Sequence, residues 1–226
     1  MSEQSQAISR QAYKTHFIGG VDVARSVTQS FWLNWAILNG IAGAIVGALE
    51  ATGLQFTATL LLTGLCLGTA QWLILRNYLR RSSRWIVVST VAWVIGIQLV
   101  ISLSPLIDPT ISFLTRLGAW EVFWLNLIQQ PLCLLILGTA QGFILHQLHR
   151  PTRDSVMTWV AGSAIGGLLQ GGMSAASCAA ICPALTQIGQ AAFATAVVYG
   201  IGWISYGVIT GIVMQHLLQN RSMEAR

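Results

Sequence analysis

Six stretches of this chain are apolar all the way round a helix: Phe31–Leu49, Phe56–Leu75, Trp85–Leu103, Val122–Leu145, Met157–Met173 and Ala191–Leu218. A helix on the surface of a soluble protein keeps a polar face at a period of 3.6 residues, and none of these does. Each approaches the roughly 20 residues needed to cross a bilayer core. The fifth is the shortest and is rich in Gly and Ser. Between Ser155 and Asn220 there is no Asp, Glu, Lys or Arg. The pattern predicts an all-α polytopic membrane protein with six transmembrane helices over residues 31–218. A polar segment (residues 1–30), interfacial or disordered, precedes them, and a short tail (219–226) follows. The first 30 residues hold no apolar run of the kind found in a cleavable leader, so the first span is expected to serve as its own insertion signal.

The six spans group into three hairpins, 31–75, 85–145 and 157–218. Gly68-Thr69-Ala70-Gln71 continues through Trp72 and Ile74-Leu75 to Arg76. Gly138-Thr139-Ala140-Gln141 continues through Gly142 and Ile144-Leu145 to His146. A third copy starts at Gly207, with Thr210 at the glutamine position and Gln215 at the basic one. Odd-numbered spans open on a tryptophan followed by small residues: Trp35 before Gly40–Gly43, Trp85 before Ser89–Ala92, Trp159 before Ser163–Gly166. The hairpins share one orientation, so their pseudo-three-fold axis is expected along the membrane normal. A single membrane domain is the simplest count.

Gly68 through Arg76 fits the form Gly-x-x-Gln-Trp-Leu-x-Leu-Arg. In this the chain resembles a loose class of multi-pass membrane proteins, common in cyanobacteria, in which that motif recurs. The second copy departs from the form at Gly142 and His146, and the third keeps little beyond its glycine spacing. The resemblance implies the topology and a photosynthetic bacterial source. It implies no catalytic activity.

Glycine pairs at i, i+4 recur: Gly43/Gly47, Gly64/Gly68, Gly138/Gly142, Gly162/Gly166, Gly167/Gly171 and Gly207/Gly211. Such pairs let helices approach closely where lipid removes the hydrophobic drive for association. They are expected to be packing surfaces, either within the bundle or between subunits.

The chain carries 12 Lys and Arg against 7 Asp and Glu, a formal charge of +5, and only 8% of its residues are charged. These charges hug the span ends, so the excess points to lipid headgroups and not to nucleic acid. Arg10, Lys14, Arg25, Arg76, Arg80, Arg81, Arg84, Arg150, Arg153, Arg221 and Arg226 fall on one side, and Arg116 on the other. The positive-inside rule then predicts cytoplasmic N and C termini.

Candidate chemistry is sparse. Gln71, Gln141 and Thr210 each lie three residues after a glycine, on one helical face. Around a three-fold bundle they would converge at one depth, either lining a solute path or tying helices together by hydrogen bonds. Gln129-Gln130-Pro131 predicts a kink, because proline frees a carbonyl one turn earlier. No acidic or basic residue falls near a span centre, which argues against an ion-driven pump. His146, His149 and His216 sit at span ends, where interfacial anchoring is the expected role and metal or pigment ligation the alternative. Cys178 and Cys182 are expected in the external turn before Pro183, as a candidate disulfide; Cys66 and Cys133 read as packing residues. No nucleophile elbow, phosphate loop or zinc-protease helix is present, so an enzyme is not expected; the question of a cofactor stays open. Two functions stay open, with a pigment- or cofactor-binding membrane protein as a third. One is a non-enzymatic accessory or scaffold subunit packing against other membrane proteins or its own copies. The other is a channel or carrier for a small neutral solute along the axis.

Overall fold

The computed structural model describes residues 30–79, 81–149, 152–187 and 190–224. These residues form seven helices and no strand: α1 (Phe31–Glu50), α2 (Phe56–Leu75), α3 (Arg84–Ser102), α4 (Ser104–Leu117), α5 (Glu121–His149), α6 (Arg153–Gln187) and α7 (Ala191–Glu224). All except α4 are long and apolar enough to cross a membrane. Trp32–Arg226 forms one compact unit. The polar segment up to residue 29 lies outside the described residues, as do Arg80, Arg150 and Arg226.

Three expectations are corrected. The fifth span is not Met157–Met173 but the 35-residue α6. Beyond Met173 the chain carries Ala175, Ala176, Ala179, Ala180 and Ala184, and alanine is the strongest helix former. Cys178 and Cys182 are therefore not in a turn. They lie one turn apart within α6, where i, i+4 side chains meet, and their sulfurs are joined. At the chain's far end, α7 runs on to Glu224 and takes in most of the expected tail.

The long turn of the second hairpin also holds an unexpected helix, α4. Pro105, Asp108, Pro109 and Arg116 mask it in the sequence. Yet Pro105 stands in the first helical turn, where proline is tolerated, and although Pro109 lies inside the helix, Ile107 and Ile111, spaced i, i+4, are both buried.

The six spans close into a ring in the order α1–α2–α3–α5–α6–α7. Contacts along it follow the glycines. A Cβ built on Gly64 would lie 2.6 Å from the Thr90 Cα of α3, and one on Gly207 would lie 2.7 Å from the Ala36 Cα of α1. Gly138 faces Ser163 across α5–α6, and Gly162 faces Val213 across α6–α7. Between α3 and α5, Gly96 receives Cys133. Asn39 and Gln71 join α1 to α2 by a hydrogen bond.

Polarity is arranged inside out, as lipid demands. Leu33, Ile37, Ile41 and Ile45 make an exposed stripe on α1, and Val87, Val91, Ile95 and Leu99 make one on α3. The polar side chains of the same helices, Asn39 and Ser89, are buried. Trp72, one turn before Arg76, carries the guanidinium 5.5 Å over its ring, a cation–π pair at the end of α2.

The glycine contacts predict a graded response. Gly64→Ala and Gly207→Ala push a methyl onto facing backbone and should each cost about 1–3 kcal/mol in detergent unfolding. Gly172→Ala meets only the flexible end of Leu127 and should stay within about 0.5 kcal/mol.

Candidate functional site at the tryptophan layer

Gln71, Gln141 and Thr210 come together, with 1%, 0% and 0% of their surface exposed. They share their depth with Trp35, Trp85 and Trp159, each fully buried. The Trp159 ring is the hub: its centroid lies 6.3 Å from that of Trp35 and 5.8 Å from that of Trp85, both edge-on. Edge-on geometry sets the positive rim of one ring against the negative face of another. The layer forms because the odd spans place an indole in their first turns while the even spans bring an amide or hydroxyl to the same level.

A pairing rule runs round the ring. Each odd-span tryptophan donates to the polar residue of the even span before it. Trp85 Nε1 donates to Gln71 Oε1 at 2.8 Å, and Trp35 Nε1 donates to Thr210 Oγ1 at 3.0 Å. Within a hairpin, each glutamine donates to the residue one turn after the tryptophan. Gln71 Nε2 reaches Asn39 Oδ1 at 2.9 Å, and Gln141 Nε2 reaches Ser89 Oγ at 2.9 Å. The two amides are themselves linked, Gln141 Nε2 donating to Gln71 Oε1 at 3.0 Å. Asn39 Nδ2, Ser163 Oγ and Thr210 Oγ1 return their protons to carbonyls one turn earlier on their own helices.

Asn39, Ser89 and Ser163, each four residues after its tryptophan, complete the site. The sequence carries the signal, Trp-x-x-x-Asn/Ser in all three odd spans, but the short polar side chains hide among small residues that also suit packing. Gln215 adds one further contact, accepting the Trp32 backbone N–H at 3.4 Å. A first-turn amide of α1, which has no partner within its own helix, is thereby capped from α7.

The third junction breaks the rule. By position Trp159 should donate to Gln141, yet neither Trp159 Nε1 nor Gln141 Oε1 has a partner. The indole edge is displaced: Trp159 Cδ1 lies 3.6 Å from a Cβ built on Gly142, against 3.1 Å for Trp35 Cδ1 and Gly211.

The glycines singled out in the sequence, Gly64, Gly68, Gly138, Gly142, Gly207 and Gly211, all face neighbouring helices of the same chain. His146 and His216 sit at the exposed ends of α5 and α7, away from the layer. Among the described residues no three His, Cys, Asp or Glu side chains gather into a metal-binding group. No family model, curated protein or solved structure matches the chain.

Gln71 serves three side chains at once, so its loss should exceed that of any one bond. Gln71→Leu strands the Trp85 indole N–H, the Asn39 carbonyl and one N–H of Gln141, and should lower unfolding stability by about 2–4 kcal/mol. Trp85→Phe, which gives up one bond, should cost about 1 kcal/mol through that bond plus its packing loss. In a double-mutant cycle the two changes should be strongly non-additive.

Proposed function

We propose that this integral membrane protein is a non-enzymatic accessory or scaffold subunit that packs against other membrane proteins through its outer faces. The observation that carries the reading is the tryptophan layer. Three indoles and three hydrogen-bonding side chains fill the axis at one depth with almost no exposed surface, which suits a solid support better than an open conduit. The glycine pairs are occupied within the bundle, so a partner would meet the broad apolar sides of the ring. The faces of α5 and α6 are the best supplied. Only 22% of the most apolar stretch of each is buried, against 50% in α2 and α7. The clustering of basic residues supports an orientation with both termini in the cytoplasm.

A second reading, a carrier for a small neutral solute, draws on a different observation. Several buried polar atoms on α5 and α6 lack partners, and a solute path off the axis could use them.

Purification of the tagged full-length chain from its native membrane in mild detergent, followed by mass spectrometry, tests the first reading. Stoichiometric recovery with a defined membrane complex is the expected result. Recovery of the chain alone as a monodisperse species would overturn it and turn attention to solute flux in liposomes.

A further inference from the structure

Six buried polar side-chain atoms among the described residues lack partners: Trp93 Nε1, Gln130 Oε1, Gln141 Oε1, Trp159 Nε1, Gln170 Oε1 and Ser174 Oγ; Tyr206, beside them, pairs with Ser163. Five of them belong to α5 and α6, one to α3, and none to α1, α2 or α7. In a lipid-embedded protein an unpaired buried polar group costs several kcal/mol. Native structures satisfy nearly all such groups, commonly with internal water. Scattered orphans would be noise, but these form a series.

Trp159 and Gln141 stand at the tryptophan layer. Tyr206 lies one turn along α7 from Thr210, its ring edge against Gly166 of α6. Trp93 joins it through Trp203, with ring centroids at 5.5 and 5.3 Å. Further from the layer, Gln130 packs its Cγ against Gly171, beside Gln170. Ser174 Oγ and the Gln170 carbonyl both border Gly202. The series thus climbs the α5–α6–α7 side, from the broken third junction towards the far end of the bundle.

Its chemistry is mixed and uncharged. Two indole N–H groups can only donate, three amide oxygens can only accept, and one hydroxyl does either. A cation would leave the indoles unsatisfied, and an anion would leave the amide oxygens unsatisfied. We infer that this side of the bundle binds a file of small neutral molecules bearing both donors and acceptors, water or a compact hydroxyl or amide solute, ending at the Trp159–Gln141 gap. The gap is then bridged: one occupant accepts from Trp159 Nε1 and donates to Gln141 Oε1, replacing the direct bond made at the other two junctions. The inference is independent of the accessory-subunit reading, because a scaffold can hold structural water as readily as a carrier holds solute.

Radiolytic hydroxyl-radical footprinting of the intact protein in detergent tests it, since radicals formed from bound water oxidise the side chains that touch it. Trp35, Trp85 and Trp159 are equally inaccessible, each 0% exposed, so bulk solvent alone predicts equal rates. The expected result is oxidation of Trp159 several-fold faster than that of Trp35 and Trp85, with Trp93 also labelled. Equal protection of all three layer tryptophans would overturn the inference. Repeating the footprinting in glycerol or urea separates the two occupants. A fall in Trp159 oxidation relative to Trp35 identifies solute entering the file, whereas an unchanged ratio alongside fast Trp159 labelling identifies fixed water.

Discussion

An amide side chain in the hydrocarbon core has only protein, or molecules the protein encloses, to bond with, and the bundle is organised around that constraint at one depth. Gln71 is its centre. Its oxygen takes protons from Trp85 and Gln141 while its nitrogen gives one to Asn39, so a single side chain addresses α1, α3 and α5. Around it the indoles contribute bulk as well as donors, and the layer pairs its polar groups everywhere except at the Trp159–Gln141 junction. Helix association here rests on close backbone approach and on a few directional bonds, because apolar burial does not separate helix from lipid.

The same constraint explains the reversed character of the spans. Branched aliphatic residues face outward in stripes on α1 and α3, and the interior collects Asn, Gln, Ser, Thr and Trp. Glycine is the complement of that interior. Without it the helices could not come near enough for side chains as short as Ser89 and Ser163 to take part.

Much of this was legible in the sequence. Six spans follow from apolar run lengths, and the repeated phrase points to Gln71 and Gln141, which are bonded to each other. What escaped notice did so for physical reasons. The length of α6 was hidden because alanine and serine score as weakly apolar, although they are good company for a helix. The helix α4 was hidden by two prolines and two charges, although Ile107 and Ile111 carry its burial. The partners at Asn39, Ser89 and Ser163 were hidden because a serine looks the same whether it packs or bonds. Most of all, the open third junction lies beyond any motif: Trp159 and Gln141 match their counterparts in sequence, yet neither Trp159 Nε1 nor Gln141 Oε1 is paired.

The bond from Trp35 to Thr210 joins residues 175 positions apart, and the cap from Gln215 to Trp32 joins residues 183 apart. A chain entering the membrane from its N-terminal end therefore presents α1 to lipid long before α7 exists. Throughout synthesis the Trp35 indole waits for its acceptor, and α1 lacks the glycine face of α7 against which it closes. Completion of the bundle is thus deferred to the arrival of the last span. A truncated copy would remain visibly unfinished to the membrane's insertion and quality-control machinery, which makes the ring its own record of having been fully made.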